Sequence, residues 1–331
     1  MNRPAAPRNR TLRLAECEHD ILDQNIVRWP CDAPFSFLSN KTILGESLTV
    51  AKALPGNVCD LIIADPPYNL DKRFRDLNFK KSSRSDYIAW LDSWLSQMRR
   101  LLKPTGSIYI CSEWQSSGAV QEVCERYFIV RNRITWEREK GRGATRNWTN
   151  CSEDIWFCTV SDDYYFDVDA VKIKRRVIAP YRRADGAPKD WDESTDGAFR
   201  MTYPSNLWTD ITIPFWSMPE NTEHPTQKPE KLIAKLILAS SHPGDFIFDP
   251  FLGSGTTSVV ARKLGRRYLG IEMNAHYCRL AEKRLALAES DTKIQGYTDG
   301  IFWDRNTLAA QGGGSIARAG GANGGPGLFQ E

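Results

Sequence analysis

The chain contains the stretch Leu61-Ile62-Ile63-Ala64-Asp65-Pro66-Pro67-Tyr68, in which a short apolar run stops at an acid, two prolines and an aromatic residue. The apolar run is typical of a buried parallel strand. Proline has a fixed φ and no N–H, so the strand cannot continue through the two prolines. The sequence therefore predicts a rigid loop at the carboxyl end of a strand, where open α/β sheets bind ligands.

This loop offers one carboxylate, backbone carbonyls without competing amide hydrogens, and one flat ring. The set suits a flat substrate that carries an –NH2 group. The carboxylate of Asp65 and the carbonyl of Pro66 accept its two hydrogens, and the ring of Tyr68 stacks on its face. The alternative is a turn that does no more than end the strand.

A second stretch, Asp245-Phe246-Ile247-Phe248-Asp249-Pro250-Phe251-Leu252-Gly253-Ser254-Gly255-Thr256, predicts a strand, a glycine-rich turn and a helix. The next predicted strand, Arg267 to Glu272, ends in an acid. This order is typical of a nucleoside cofactor site, because glycines allow close approach and the acid hydrogen-bonds ribose hydroxyls. Ser258 takes the place of the third glycine of the dinucleotide pattern, and no Gly-Lys-Ser/Thr follows, which argues against NAD and against a Walker loop.

Together with His224-Pro225-Thr226-Gln227-Lys228-Pro229, the two stretches resemble the amino-group DNA methyltransferases, whose Asp-Pro-Pro-Tyr and Phe-x-Gly-x-Gly motifs match residue for residue. The motif order resembles the β-group, and the resemblance covers roughly residues 40 to 290. It implies an α/β fold: a circularly permuted, Rossmann-like methyltransferase sheet with helices on both faces and an irregular target-recognition insertion.

The resemblance and the composition divide the chain into five parts. These are an N-terminal arm (1–30), the catalytic half of the methyltransferase domain (31–166), a target-recognition region (167–222), the cofactor-binding half (223–300) and a tail (301–331). The tail is rich in glycine beyond residue 310 and is predicted to be disordered. No helical or strand period persists between residues 167 and 221.

The resemblance also implies S-adenosyl-L-methionine as cofactor. Carried over onto this sequence, the cofactor-binding residues are Glu46, Asp65, His224, Thr226, Lys228, Asp249, Pro250, Phe251, Gly253, Ser254, Gly255, Thr256 and Glu272. Glu46 reaches the adenine ring, and Lys228 is a candidate for the carboxylate of the methionine moiety. The alternatives are a surface acid at a strand end and a surface lysine.

The implied reaction is methyl transfer to the N6 amino group of adenine in duplex DNA, with the base flipped out of the stack. The catalytic residues are Asp65, Pro66, Pro67 and Tyr68. A cytosine N4 methyltransferase is an alternative, although that group more often carries serine where Asp65 stands. A DNA-binding subunit with an inactive site is another.

Basic residues are clustered although the net charge is only +3. One run lies at 72–84, interpreted as a flexible loop over the site, and another at 172–183. A Gly- and Arg-rich loop spans 137–150, where Trp148 either stacks near the flipped base or is a half-buried structural residue. The predicted DNA contacts are Lys72, Arg73, Arg142, Arg146, Lys174, Arg175, Arg176, Arg182 and Arg183.

The composition, 41% hydrophobic and 26% charged, is that of an ordinary globular protein, with no membrane-length apolar run and no signal peptide. Eight scattered cysteines without a C-x-x-C pair, and only four histidines, predict no metal site, no disulfides and a cytoplasmic location. Double-stranded DNA is the predicted partner. A homodimer and a cognate endonuclease of a restriction-modification system are further partners that the resemblance allows.

Overall fold

The structure is a computed structural model that describes residues 8–74, 77–138, 145–177, 181–194 and 197–304. Within the strand at 72–74, only the backbone is described. The predictions for Arg142, for the side chains of Lys72 and Arg73, and for the tail beyond residue 304 therefore lie outside the description.

Sixteen strands and seven helices are present in the described ranges. The strands are β1 (Ile26–Arg28), β2 (Lys41–Leu44), β3 (Cys59–Ala64), β4 (Lys72–Phe74), β5 (Leu77–Phe79), β6 (Leu102–Ser112), β7 (Ile129–Glu137), β8 (Ser152–Thr159), β9 (Ile173–Arg176), β10 (Asp192–Ser194), β11 (Gly197–Thr202), β12 (Leu207–Trp208), β13 (Phe246–Asp249), β14 (Arg267–Glu272), β15 (Tyr297–Thr298) and β16 (Ile301–Trp303). The helices are α1 (His19–Asp23), α2 (Ser47–Ala53), α3 (Arg84–Leu101), α4 (Ser117–Tyr127), α5 (Glu230–Ser240), α6 (Thr256–Lys263) and α7 (Ala275–Ser290).

Nine strands form the central sheet in the order β1-β2-β14-β13-β3-β6-β8-β7-β12. In this order, the first six strands, β1, β2, β14, β13, β3 and β6, run parallel to one another. Strand β8 is antiparallel to both of its neighbours, β6 and β7. The strand before the glycine turn, β13, lies late in the chain but pairs directly with β3 near the middle of the sheet. This confirms the permuted Rossmann-like fold.

Both faces of the sheet are covered by helices, because its inner strands are apolar on both sides. Ile62 and Ala64 of β3 face one core with α2, α3 and α4. Leu61 and Ile63 face the opposite core, which α5, α6 and α7 close. The alternation follows from the two-residue period of a strand. Within the described ranges, no helix is long and apolar enough to cross a bilayer.

The helix predicted near residues 86–102 is α3, and its sequence explains where it begins. The hydroxyl of Ser83 accepts the N–H of Asp86, which caps the first turn. Apolar residues at three- and four-residue spacings are buried, including Leu91, Trp94 and Met98. Trp90 is 36% exposed instead and reaches the rim of the cavity described below.

The predicted irregularity of residues 167–222 is corrected by the structure. In this region β9, β10 and β11 belong to a second sheet, in the order β10-β11-β9-β16-β15, and β12 extends the central sheet beside β7. The fourth member, Ile301–Trp303, comes from the predicted tail and pairs in parallel with β9. These strands are two to six residues long, and apart from the β10–β11 pair their partners lie far away in the chain, so no local period shows them.

Two further segments are more regular than predicted. The segment interpreted as a flexible loop at 72–84 contains an antiparallel hairpin of β4 and β5. The N-terminal arm supplies β1, which pairs with β2 at the edge of the central sheet, and Leu12 forms a bridge with Thr222. Short edge strands carry too few residues for a visible hydrophobic pattern.

Candidate active site

The two loops singled out in the sequence meet at one cavity. Because β3 and β13 are parallel neighbours, their carboxyl ends open on the same edge of the sheet. A cavity of about 330 Å³ lies there and is lined by both loops. It includes every predicted catalytic residue, Asp65, Pro66, Pro67 and Tyr68, and every predicted cofactor residue except Gly255, namely Glu46, Asp65, His224, Thr226, Lys228, Asp249, Pro250, Phe251, Gly253, Ser254, Thr256 and Glu272.

The glycine turn has a conformation that side chains disfavour. Gly253 and Gly255 have φ of +55° and +86°, in the left-handed region that glycine populates freely. A Cβ on Gly255 would lie 2.6 Å from the Cβ of Ala281 in α7. Gly255 therefore lies behind the cavity wall. It caps the start of α6, and its lack of a side chain lets α7 pack against it.

Three carboxylates at this end of the cavity are held by backbone N–H groups. Glu272 accepts the N–H of Gly253 and of Asn274, both at 2.9 Å. Asp249 accepts the N–H of Phe251 at 2.9 Å. Glu46 caps α2 by accepting from the backbone of Leu48 and Thr49.

The surroundings shift the pKa values of these carboxylates in different directions. Burial raises the pKa of Asp249 to about 7, with the charges of Asp65 and Glu272 adding to it, against hydrogen bonds from Thr257 and the N–H of Phe251. Burial also raises the pKa of Glu272. Burial opposes ionisation of Glu46, but hydrogen bonds from Thr49 and Leu48 outweigh it and lower that pKa.

At the other end of the cavity, charged side chains hold one another. Asp65 accepts a hydrogen bond from the hydroxyl of Tyr68 on Oδ1 at 2.9 Å and one from the ammonium of Lys228 on Oδ2 at 2.6 Å. The same ammonium lies 3.2 Å from Oε2 of Glu153. The other oxygen of Glu153 accepts a hydrogen bond from Arg138 at 2.5 Å.

Lys228, the candidate for the cofactor's carboxylate, is not the surface lysine of the alternative interpretation. Its side chain is only 8% exposed, and its ammonium lies between the carboxylates of Asp65 and Glu153. Burial would lower its pKa, but those two carboxylates outweigh burial and hold the pKa above its ordinary value. The ammonium is therefore charged and bound within the protein.

The sequence matches the N6/N4 methyltransferase family, described as DNA methylase, over residues 59–283. The chain belongs to this family. It is 35% identical over 257 residues to the DNA adenine methyltransferase YhdJ of Escherichia coli strain K12, covering 75% of this chain and 83% of that protein. It is 32% identical over 269 residues to the Type II methyltransferase M.HpaI of Haemophilus parainfluenzae, covering 78% of this chain and 77% of that protein.

The fold is also that of a solved DNA methyltransferase. The cytosine-N4-specific PvuII DNA methyltransferase superposes with a TM-score of 0.52 at 17% identity, over 81% of this chain and 95% of that one. At this level of identity the likeness concerns the fold alone. It agrees with the central sheet and its helical layers described above.

Several residues at or beside the cavity were missed by sequence reasoning. Glu153 and Arg138 come from β8 and the segment after β7, and Trp90 comes from α3. A signal existed for Glu153, because two acids begin the buried strand Ser152–Thr159. Its meaning depends on β8 running antiparallel to β6, which brings the start of β8 to the carboxyl edge of the sheet.

The predicted DNA contacts are placed unevenly. Arg146, Arg176, Arg182 and Arg183 are exposed. Lys174 is half-buried, with its ammonium over the rings of Phe199 and Trp303. Arg175 lies two residues from buried Ile173 in β9 and so shares its inward face; its Nε is buried.

The loop between β7 and β8 opens on the same edge of the sheet as the cavity. Trp148 in this loop is 94% exposed, which removes the interpretation as a half-buried structural residue. Among the residues that the structure describes, no group of three or more His, Cys, Asp or Glu side chains is arranged to hold a metal ion.

Proposed function

We propose that this protein is a site-specific DNA methyltransferase that transfers the methyl group of S-adenosyl-L-methionine to the N6 amino group of adenine in duplex DNA. The observation that carries the proposal is the shared cavity. The Asp65-to-Tyr68 loop and the glycine turn lie on neighbouring parallel strands and line the same space. A donor and an acceptor of a small group can meet there.

The residues at the glycine end fit S-adenosyl-L-methionine. The cavity volume of about 330 Å³ lies in the range of about 300–1,000 Å³ typical of small-molecule sites. We infer that Glu272, at the end of β14, binds the ribose hydroxyls, and that Asp249, His224 and Thr226 line the space for the methionine moiety. Phe251 and Trp90 offer flat apolar surfaces for the adenine ring, beside Glu46. When bound, the cofactor supplies an electrophilic methyl group.

The residues at the other end fit a flat base with an exocyclic amino group. The carboxylate of Asp65 and the carbonyl of Pro66 accept its two hydrogens, which directs the nitrogen lone pair away from them. Asp65 also stabilises positive charge that develops on this nitrogen, an electrostatic contribution aimed at the transition state. A base inside a duplex cannot reach the cavity, so it is flipped out at a cost of a few kcal/mol.

Adenine is favoured over cytosine by Asp65 itself and by the relatives, among which YhdJ is named an adenine methyltransferase. Exposed Arg146, Arg176, Arg182 and Arg183 are the best placed of the predicted DNA contacts. Lys72 and Arg73 follow the Asp65-to-Tyr68 loop directly in sequence. Lys174 packs against Phe199 and Trp303 instead.

The test is methylation of duplex DNA by the purified protein with labelled S-adenosyl-L-methionine, followed by nucleoside analysis. We expect N6-methyladenine, and we expect Asp65→Ala to lower the turnover by at least about 10²–10³-fold, the usual cost of removing one preorganised electrostatic group. Calorimetric affinity for the cofactor should largely survive. N4-methylcytosine would establish the alternative substrate, and full activity of Asp65→Ala would remove the mechanism.

The further partners and the location are separate proposals. All eight cysteines are free thiols, which supports a reducing cytoplasm. Light scattering of the purified protein tests the homodimer. Cleavage of unmethylated DNA at the mapped site by extracts of the source cells tests the cognate endonuclease.

A further inference from the structure

Among the residues that the structure describes, the charged side chains linked to Asp65 by ion pairs carry no net charge. Two carboxylates, Asp65 and Glu153, are matched by two cations, Lys228 and Arg138. Lys228 is 8% exposed and Glu153 is 4% exposed. Burying two ions at such depth is costly unless each is paired and hydrogen-bonded, which both are here.

The geometry fixes how Asp65 presents itself to the cavity. One oxygen accepts from Tyr68 and the other from Lys228, so the carboxylate cannot rotate without losing both contacts. Tyr68 is fixed in turn, because its hydroxyl also lies 3.2 Å from Glu153 and 3.2 Å from the ammonium of Lys228. A carboxylate has about four lone-pair sites, so Asp65 can still accept from a bound base.

We propose that Glu153 and Lys228 are a positioning pair that holds the carboxylate of Asp65 aimed at the substrate's amino group. This inference rests on the proposed function, because it concerns the group that binds the base. The ammonium of Lys228 holds Oδ2 of Asp65 at 2.6 Å. Glu153 holds that ammonium from the other side, at 3.2 Å.

Other charged and titratable groups face this pair from the elements packed around it. They are Asp65 and Tyr68 after β3, Cys111 on β6, Arg138 after β7 and Asp249 at the end of β13. Burial raises the pKa of the Cys111 thiol and of the Tyr68 hydroxyl, so both are neutral near pH 7. The charge at the base end is therefore set by the carboxylates and the two cations.

The experiment compares Lys228→Met and Glu153→Gln with the wild type on DNA that carries the mapped target site. We expect kcat to fall about 10-fold or more in both variants, while the calorimetric Kd for S-adenosyl-L-methionine changes less than about 3-fold. The double variant should lose no more kcat than the less active of the two single variants, because both residues act through the one carboxylate of Asp65.

A matched control is Asp210→Asn, which removes another buried carboxylate held by two lysines, Lys231 and Lys235, on α5. It should lower the melting temperature without lowering kcat. If the methionine variant does not fold, Lys228→Arg takes its place: it keeps the cation beside Asp65 and should retain most of the wild-type kcat.

A loss of kcat at nearly unchanged cofactor Kd, shared and not summed in the double variant, supports the positioning pair, because independent structural roles predict losses that add. Wild-type kcat in either single variant, or losses that add in the double variant, overturns it. So does a kcat in Lys228→Arg that falls about 10-fold or more. If the wild type itself makes no N6-methyladenine, the proposed function fails instead, and that outcome is seen before any variant is compared.

Discussion

The two ends of the cavity hold their carboxylates in different ways. At the glycine end, Glu46, Asp249 and Glu272 accept from backbone N–H groups, several of them two or three residues away in sequence. At the base end, Asp65 and Glu153 are held by side chains. The contact of Asp65 with Lys228 spans 163 residues, and that of Glu153 with Tyr68 spans 85 residues. One end is built by local chain conformation and the other by charge balance.

Because of this difference, the two ends should tolerate different kinds of substitution. Backbone N–H groups stay in place when a side chain changes, so the glycine end depends most on the conformation of its turn. Side-chain cations and hydroxyls disappear with a substitution, and a buried charge that loses its partner is strongly destabilised. The base end should therefore be sensitive to single polar atoms, and the glycine end to added bulk.

The largest effect is expected from bulk at the glycine turn. Gly255→Ala places a Cβ at φ +86° and 2.6 Å from the Cβ of Ala281, so we expect a loss of about 2–5 kcal/mol in the free energy of unfolding. Affinity for S-adenosyl-L-methionine should fall with it. Gly118→Ala is the control, because nothing lies within 4 Å of its added Cβ and it should melt near the wild type. Equal melting temperatures for both variants would contradict a turn built on backbone conformation.

Removal of one oxygen at the base end should mainly affect catalysis. Tyr68→Phe keeps the ring but loses the hydroxyl that contacts Asp65, Glu153 and Lys228. A hydrogen bond to a charged group contributes about 1.5–3 kcal/mol, so we expect kcat to fall on the order of 10- to 100-fold. Steady-state kinetics and calorimetry measure this, with cofactor Kd unchanged. Tyr127→Phe on α4 is the control. A rise in cofactor Kd without a change in kcat would show that this hydroxyl contributes to cofactor binding and not to catalysis.

Asp249 provides a pH test of the glycine end. Burial raises its pKa from 3.8 to about 7 in the folded state, so between these values the folded protein binds more protons than the unfolded chain. Stability contributed by this group is therefore present at low pH and lost as pH rises toward 7. Asp249→Asn removes this dependence. It amounts to up to ~1.4 kcal/mol in the free energy of unfolding for each pH unit between 3.8 and about 7. Melting curves from pH 4 to 8 measure it, and parallel wild-type and variant profiles would disprove it.

The smallest effect is expected at the cap of α2. Glu46→Ala removes the acceptor for the N–H groups of Leu48 and Thr49, which should cost about 1 kcal/mol. Glu46→Gln keeps an acceptor oxygen and should recover most of this stability. Denaturant unfolding measures both variants. If cofactor affinity falls in Glu46→Gln while stability is kept, the carboxylate also contacts the cofactor.

Much of the site could be read from the sequence because its parts are local. The strand run into Asp65-Pro66-Pro67-Tyr68, the positive-φ glycines before α6 and the acid that ends β14 each depend on a few adjacent residues. Prolines stop a strand and glycines allow a tight turn wherever they occur, so these predictions needed no tertiary information. Their shared cavity followed from the parallel order of the sheet.

Glu153 and the second sheet could not be read in this way. Glu153 becomes part of the site only because β8 reverses direction beside β6. Likewise, Ile301–Trp303 is a strand only because it pairs with β9. The sequence by itself determined the two motif strands, their turns and the loop chemistry, since these arise from neighbouring residues. The tertiary structure alone decided which distant charges balance Asp65, because a buried ion is stable only beside partners that folding brings to it.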